Sequence, residues 1–310
     1  MPITADKRGY VAGKFALDLD GASAGWIQSV EGGQASADVV VEKVGPDHIA
    51  KKHLAGVKYD DISISCGTGM SKAFYEWIKS SFDHNYQRKG GAVITCDYNY
   101  KELARMTWYN GLITEIGFPA LDAASKDAAK MSIKVTPETT RVATGQGASV
   151  AGGKYSLGKG EQKKWTPANF RLRIDGTDCT RVNKIDALVV KQKVIQNQVG
   201  ELRDYETEPA SVEIPNLVIT VNESHAKEFF DWHQDFVING NNGQDKERGG
   251  TLEFLAPNLH DTLFTLTFQQ LGIFKITPDK VEAGSENIRR VKVEMYCEDI
   301  SFQYTNAAWA

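Results

Sequence analysis

Side chains that could bind a metal or act as a base are few and widely spaced in this chain. The closest histidine pairs are His48 with His53 and His225 with His233. Neither pair has the i, i+4 spacing that places two imidazoles on one face of a helix, as in a zinc-binding helix. We therefore predict no metal site, and we expect these histidines to be exposed or partly packed.

The cysteines also lack the spacing of a reactive or metal-binding site. Cys66, Cys96, Cys179 and Cys297 are far apart and form no C-x-x-C pair, which excludes the usual zinc and redox spacings. Four cysteines can form two disulfides, but without an evident secretory signal we expect isolated thiols and a reducing compartment. No local Ser-His-Asp or Cys-His arrangement is visible, while a triad assembled in space stays open.

Two glycine-rich segments superficially resemble phosphate-binding loops. Residues 67–72 lack the Gly-Lys-Ser/Thr ending and join a predicted strand to a predicted helix, which indicates a turn and a helix N-cap. Residues 145–147 are not preceded by a predicted strand, as a dinucleotide-binding motif requires. The sequence therefore predicts no catalytic residue and no cofactor, and we do not expect an enzyme.

The composition is that of an ordinary globular protein. The 310 residues include 36 basic and 40 acidic side chains, for a net charge of −4, and 41% are hydrophobic, unlike collagen, coiled-coil rods or disordered chains. No apolar run approaches the roughly 18 residues of a membrane span, and we expect no secretory signal. The negative charge argues against general nucleic-acid binding, although basic patches such as Arg88-Lys89 and Lys51-Lys52 exist.

The chain contains an internal repeat. The segment FALDLDG at residues 15–21 reappears as FRLRIDG at residues 170–176, an offset of 155 (170 − 15 = 155), and FYEW at residues 74–77 returns as FFDW at the same offset. Gly90-Gly91 then matches Gly249-Gly250 at an offset of 159, and MSIKV matches VKVEM at an offset of 160. This order predicts a duplication; the alternative is two unrelated β-rich domains with a coincidental aromatic motif.

Each copy shows the same predicted elements, six or seven strands and one helix. The strands alternate apolar with polar residues or are rich in β-branched residues. They cover residues 15–19, 37–44, 59–65, 92–96, 106–118 and 130–135, then 187–190, 251–255, 263–276 and 288–296. We predict a mainly β fold with α: two tandem β-sandwich or barrel domains, at residues 1–140 and 169–310, each with one flanking helix. Glycine and polar residues predict a flexible linker over residues 141–168.

The predicted helices are marked by aromatic residues at helical spacing. Residues 71–82 place Phe74 and Trp77 on one face behind Ser71 as N-cap, and residues 224–236 form the second helix. Phe229 and Trp232 hold the equivalent places. We expect these four aromatic side chains to anchor the helices to the core; the alternative is a ligand-stacking role.

Several motifs of the first copy occur in a characteristic order. Residues 52–64 contain Leu-Ala-Gly-Val-Lys-Tyr, a predicted turn leading into an alternating strand, and the helix with Trp77 follows. Arg88-Lys89 then precede a short strand, and residues 108–116 precede a turn with Pro119. Over residues 10–138 these motifs resemble the tail-tube proteins of contractile phages, with relatives in extracellular contractile injection systems and type VI secretion. The second copy fits this family in pattern only.

The resemblance implies that such domains form sixfold rings, stacked into a tube whose lumen conducts DNA or protein cargo. Neighbouring domains pair strands edge to edge, which leaves no open sheet edge. Three chains with two domains each supply six positions, so we expect a trimer with pseudo-sixfold symmetry. The expected partners are the chain itself, sheath, baseplate or hub proteins and the cargo. The expected place is a virion tail or injection particle assembled in the bacterial cytoplasm, without a membrane.

The two copies differ in the loop that, in the family, helps one ring contact the next. The second copy, over residues 194–212, has carboxylates and no matching turn. The predicted inter-ring contacts are Lys51, Lys52, His53, Lys58 and Tyr59 in the first copy and Glu201, Asp204, Glu206 and Glu208 in the second. Such surfaces either alternate between identical rings or belong to a special ring at a tube end.

Three functional interpretations stay open. The leading one is a structural subunit of the inner tube. The second keeps the fold but makes the chain a tube initiator, a hub-proximal adaptor or a terminator, present as one ring. The third, from another class, is a β-rich ligand-binding or enzymatic protein. Copy number separates the first two, and oligomeric state separates the third.

Overall fold

The computed structural model describes residues 13–43, 45, 48–150, 165–201, 204–280 and 288–305. The first half is built mainly of antiparallel strands with one helix. Its elements are β1 (Lys14–Leu19), β2 (Ala22–Ile27), β3 (Ser29–Gly32), β4 (Ala35–Glu42), β5 (Lys51–Tyr59), β6 (Ile62–Cys66), α1 (Lys72–Phe82), β7 (Lys89–Cys96), β8 (Glu102–Phe118), β9 (Leu121–Asp122), β10 (Met131–Thr136) and β11 (Thr139–Thr144).

The second half has the same order of long elements. They are β12 (Phe170–Ile174), β13 (Val182–Ile185), β14 (Leu188–Asn197), β15 (Glu206–Glu213), β16 (Leu217–Asn222), α2 (Lys227–His233), β17 (Arg248–Leu255), β18 (Thr262–Pro278), β19 (Arg290–Tyr296) and β20 (Asp299–Tyr304). Short 3-10 turns at Glu223–His225 and Gln244–Lys246 and a π-helical turn at Gln234–Ile238 complete the described elements. None of the described helices is long and apolar enough to cross a membrane.

Strand pairing repeats from one half to the other. The order β1-β7-β8-β10-β6-β3 of the first half returns as β12-β17-β18-β19-β16-β13, and β11 on β8 returns as β20 on β18. The register is also repeated, because Val39 lies opposite Leu54 and Val194 lies opposite Pro209, each next to a bulge. The fold is therefore mainly β with two like halves, as the sequence predicts, and the repeat extends to strand order and register.

The hairpins β4–β5 and β14–β15 correct two expectations. Residues 52–59 were expected to form a turn, but they lie in strand β5, paired with β4. The second copy was expected to lack a matching segment, yet β15 pairs with β14 in the equivalent register. Nearly every residue of β5 is exposed on both faces, so its sequence lacks the alternation that identifies a half-buried strand. The described residues hold eleven strands in the first half and nine in the second, more than the six or seven expected in each half.

The helices lie near their predicted places. Helix α1 begins after Ser71, whose Oγ accepts a hydrogen bond of 3.4 Å from the Phe74 backbone N–H. Helix α2 is shorter than residues 224–236, because the backbone changes to the π-helical turn after His233. Its N-cap, Ala226, offers no side-chain acceptor to the first turn.

The hydrophobic core is continuous through both halves. Phe118 of β8 stacks on Phe254 of β17, with ring centroids 5.4 Å apart. Phe82 of α1 stacks on Phe302 of β20 at 5.5 Å, and all four rings belong to one buried cluster. Helix α1 therefore covers strands of the second half, and the aromatic side chains join the two sheets into one core.

The segment predicted as a linker is structured at both ends. Residues 139–144 form β11, and beyond it the Gly145 and Val150 amides donate to carbonyls beside β8, at 2.8 and 2.9 Å. At the other end Trp165 is buried and packs edge-on against Phe254, at 5.6 Å between ring centroids. Residues 151–164 lie outside the described residues, and the domain bounds stay a prediction.

Because the core is shared, we predict that Phe118→Ala destabilises both halves together. Truncation of a fully buried phenylalanine costs about 3–5 kcal/mol of unfolding free energy. Urea unfolding followed by tryptophan fluorescence and circular dichroism should show one transition moved to lower urea. The control Tyr109→Ala, at a side chain 51% exposed, should change stability by less than about 0.5 kcal/mol. Two separate transitions, one unaffected, would contradict a shared core.

Burial also predicts slow thiol chemistry. All four cysteines are free thiols; desolvation raises the pKa of Cys66 to about 12 and that of Cys297 to about 11. Because only the thiolate is nucleophilic, Cys66 at pH 8 holds about a thousandfold less thiolate than a thiol of ordinary pKa. Iodoacetamide labelling read by mass spectrometry should spare Cys66 in the folded chain and modify it rapidly in urea. Equal rates in both conditions would show that this burial is wrong.

Candidate assembly surfaces

The second half completes a sheet of the first half. Strand β14 adds to the free side of β8, with Leu188 opposite Phe118 and Lys191 opposite Glu115. Nearby, β13 pairs with β9, where Lys184 forms an ion pair of 2.9 Å with Asp122. Unpaired strand edges are sites of association with other chains. Here the second half pairs with a strand edge that the first half alone would leave open.

A cluster of charged groups fixes the hairpin β14–β15 on the first half. Arg88 Nη2 donates to the Thr207 carbonyl at 2.6 Å and lies 2.9 Å from Glu208 Oε2. Glu138 accepts from the Thr207 backbone N–H at 2.9 Å and from Asn110 at 2.7 Å. Charge-assisted hydrogen bonds of this kind are stronger than neutral ones. They hold the hairpin in one position and strengthen its attachment to the first half.

Two predicted inter-ring residues meet each other within the chain. The buried Tyr59 donates its hydroxyl proton to Asp204 Oδ1 at 3.1 Å and accepts from Arg141 at 3.0 Å. The Tyr205 hydroxyl donates to the Tyr59 carbonyl at 3.4 Å, and burial raises the pKa of Tyr205. Tyr59 therefore differs from the expectation of a surface contact, since it belongs to the junction between the halves.

The other predicted contact residues are exposed. Lys51, Lys52, His53 and Lys58 lie on β5, where Lys58 pairs with Asp38 of β4. Glu201 and Glu206 are also exposed, and Glu208 is engaged by Arg88. These positions are accessible to a neighbouring chain, and their role in contacts between rings stays a prediction.

The hairpin β4–β5 carries an apolar surface that was not predicted from the sequence. Val39 is 57% exposed, Val41 54% and Leu54 69%, and the two strands pair with no other strand among the described residues. Residues 275–278 of β18 likewise have a strand on one side only within those ranges. The equivalent hairpin, β14–β15, pairs with the equivalent edge of β8. Alignment of the two halves therefore identifies the hairpin β4–β5 and residues 275–278 as candidate contact surfaces.

The helix anchors are buried in the core. Phe74, Trp77, Phe229 and Trp232 are each at most 4% exposed, and Trp77 Nε1 donates to the Gln87 carbonyl at 2.8 Å. The Arg248 guanidinium lies 4.3 Å from the Trp232 ring centroid, and desolvation lowers the pKa of Arg248. The ring faces are thus in contact with the chain's own side chains.

The motifs considered for catalysis have structural surroundings. Residues 67–72 lead into the capped start of α1, and Gly147 donates its N–H to the Glu102 carbonyl at 3.2 Å. Across the residues that the structure describes, no group of three or more histidine, cysteine or acidic side chains is arranged to hold a metal ion. The arrangement that stands out is therefore a set of strand edges and the side chains beside them.

The first part of the chain matches a known protein family. Residues 11–141 match the family described as the T4-like virus tail tube protein gp19, whereas no curated protein matches the chain. Among solved structures, the chain is similar to the tube-terminating cap of the anti-feeding prophage, with 21% identity over 46% of this chain and 99% of that chain and a TM-score of 0.38.

Two further solved structures show similarity to one part of the chain. A chain of the sheath-tube complex of the extracellular contractile injection system PVC, in its extended state, has 19% identity over 45% of this chain and 95% of its own, with a TM-score of 0.40. Hcp1 from Flavobacterium johnsoniae has 18% identity over 44% of this chain and 95% of its own, with a TM-score of 0.28.

Proposed function

We propose that the whole chain is a duplicated tube subunit, because residues 11–141 match the T4-like virus tail tube protein gp19 family and the second half repeats the fold of the first. Domains at residues 1–140 and 169–310 occupy alternate positions of a ring. Three chains supply six positions, and the rings stack around a lumen that conducts DNA or protein cargo. Sheath and baseplate or hub proteins are the proposed partners in a tail or injection particle assembled in the bacterial cytoplasm.

The observation that carries this proposal is one filled and one unfilled copy of the same contact. The hairpin β14–β15 occupies the edge of β8, while the hairpin β4–β5 and residues 275–278 of β18 have no such partner among the described residues. The two free surfaces differ from each other, so they support a head-to-tail contact between chains. Head-to-tail contacts generate rings when the rotation closes.

The exposed apolar side chains favour assembly over a monomeric state. Val39, Val41 and Leu54 point away from the core of their own chain. A contiguous apolar patch of this kind on an open hairpin is typical of an interaction surface. Pairing between chains removes this surface from water and satisfies the strand edge at the same time.

Oligomeric state tests the proposal directly. Light scattering coupled to size-exclusion chromatography should give three times the 34.2 kDa chain mass or stacks of that unit, and negative-stain images should show rings with a hollow centre. A monodisperse monomer at high concentration, with no rings, would overturn the proposal and favour a β-rich ligand-binding or enzymatic protein. Rings of six chains would reject the arrangement of alternating domains.

A second candidate function is an end ring: a tube initiator, a hub-proximal adaptor or a terminator. The charge difference between the hairpins favours it, because the basic β5 and the acidic β15 give the ring two kinds of surface. Quantitative mass spectrometry of purified particles separates the two functions. A tube subunit should be present in tens of copies for each baseplate, whereas an end ring contributes one ring.

A further inference from the structure

Resting on the proposed ring, we infer that the hairpin β4–β5 of one chain pairs with β18 of the next chain in a defined register, and that reversed charges make this contact specific. The register follows from the pairing inside the chain. Lys191 lies opposite Glu115, and the positions equivalent to these two residues are Ser36 and Lys275. The contact between chains thus places Ser36 of one chain opposite Lys275 of the other.

The equivalence of positions is fixed by matching pairs and bulges. Ser36 lies opposite Lys58 as Lys191 lies opposite Glu213, and both hairpins have a bulge one position later. On the receiving side, β8 skips a residue between Ile113 and Glu115 where it pairs with β10, and β18 skips one between Ile273 and Lys275 against β19. The hairpin positions from Ser36 onward and the edge positions from Ile273 onward therefore correspond, whereas Gly33, at the position of Leu188, has a φ of +80° and precedes β4.

Apolar side chains that are exposed in the single chain occupy the positions of a buried contact. In the filled contact Tyr75 and Phe82 of α1 are buried against the second half, where Phe82 stacks on Phe302. Their equivalents are Phe230, which is 38% exposed, and Val237, 41% exposed; the equivalent of Phe302 is Val142, 74% exposed. Pairing with the next chain brings Val142 onto Val237 and covers all three side chains.

Side-chain sizes and polarities are exchanged between the two contacts. The filled contact places the small Thr114 and the large Gln192 on one cleft between the halves, whereas their equivalents are the large, exposed Phe274 and the small Ala37. The large side chain lies on the hairpin in the contact within the chain and on the receiving edge in the contact between chains. The space between hairpin and edge is therefore filled in both. Complementary size is what close packing requires.

The polar pair at the tip of the hairpin is replaced by an apolar one. Asp204 bonds Tyr59 in the filled contact. The equivalent positions hold Ile49, which is 78% exposed, and Ile214, which is half-buried. Aspartate with tyrosine is a matched polar pair, and isoleucine with isoleucine is a matched apolar pair. If the hairpins exchanged places, a carboxylate would lie against an isoleucine.

Charges are reversed in the same manner. The position of Arg88 is taken by Glu247 in the second half, and the position of Glu208 is taken by His53 in the first. Glu138 becomes Glu298, and Thr207 becomes Lys52. Thr207 takes part in the contact within the chain through its backbone carbonyl and N–H; in the contact between chains, the Lys52 backbone N–H and ammonium group thus lie beside Glu298, and the His53 imidazole faces Glu247. One of these carboxylates, Glu247, accepts from the Tyr296 hydroxyl at 2.6 Å through Oε1, while its buried Oε2 has no partner among the described residues.

The reversal prevents the hairpins from exchanging places. If β14–β15 docked on β18, Glu208 would join Glu247 and Glu298 with no cation beside them. If β4–β5 docked on β8, Arg88 would lose the carboxylate of Glu208, which lies 2.9 Å away in the filled contact. Unpaired and like charges of this kind are how interfaces exclude wrong partners. Each hairpin therefore fits one receiving edge.

Cross-linking tests the register. In a chain carrying Ser36→Cys and Lys275→Cys, the two thiols of neighbouring chains face each other across directly opposed strand positions, about 4.5–5.5 Å apart at Cα, a spacing that suits a disulfide. Mild oxidation should give covalent dimers and trimers on a non-reducing gel. The control pair Ser36→Cys and Pro278→Cys, three positions out of register, should stay monomeric on that gel. Rings that form normally but cross-link equally in both variants would refute the register and leave the proposed ring intact.

Charge substitutions test specificity. Lys52→Glu should raise the apparent dissociation constant of the ring by about 10- to 100-fold, because three carboxylates then meet. Adding Glu298→Lys in the same chain should restore ring formation, whereas Lys130→Glu, a matched charge change on an exposed loop residue, should leave the ring unaffected. Circular dichroism of each variant checks the fold. Wild-type rings with no loss in Lys52→Glu, or no recovery in the double variant, would overturn the inference; absence of wild-type rings would count against the proposed function instead.

Discussion

The arrangement of the two halves depends on the pairing of an exposed β-sheet edge. Backbone amides and carbonyls at an open edge attract any strand that fits, and the distal part of β8 would present such an edge if the first half stood alone. The second half supplies β14 at this edge, in register from Leu188 to Lys191. The charged cluster around Arg88 and the junction around Tyr59 follow from that pairing, because they lie where the docked hairpin meets the first half.

The continuous core has the same origin. With β14 on β8, helix α1 lies over β20, and Phe82, Phe118, Phe254 and Phe302 pack together. Neither half would bury these rings without the other. Helix α2 occupies the equivalent place in the second half but has exposed Phe230 and Val237 on the matching face. The equivalent faces of the two helices therefore differ in what covers them.

Much of the fold was predictable from the sequence, since the repeat, the order of strands and the helix after Ser71 all leave patterns of type and spacing. The predicted strand over residues 37–44 covers most of β4, but its pairing with β5 was not predictable, because β5 is exposed on both faces and shows no alternation of buried and exposed residues. Tyr59 was predicted as an inter-ring contact, and its pairing with Asp204 was not foreseen, because the two residues are 145 positions apart in sequence. Long-range pairing of that kind depends on strand order, which a local pattern does not contain.

Because the two halves are covalently fused, the seam between β8 and β14 forms with first-order kinetics, whereas the proposed seam between chains forms with second-order kinetics. The seam between β8 and β14 forms as a single chain folds, at an effective concentration set by the connection and independent of how much protein is present. A seam between molecules forms by collision, and its population varies with dilution. In the proposed ring, three chains have three contacts between molecules instead of six and assemble in two bimolecular encounters instead of five, so fewer translational and rotational degrees of freedom are lost. Fusion thereby lowers the concentration at which a closed ring can nucleate.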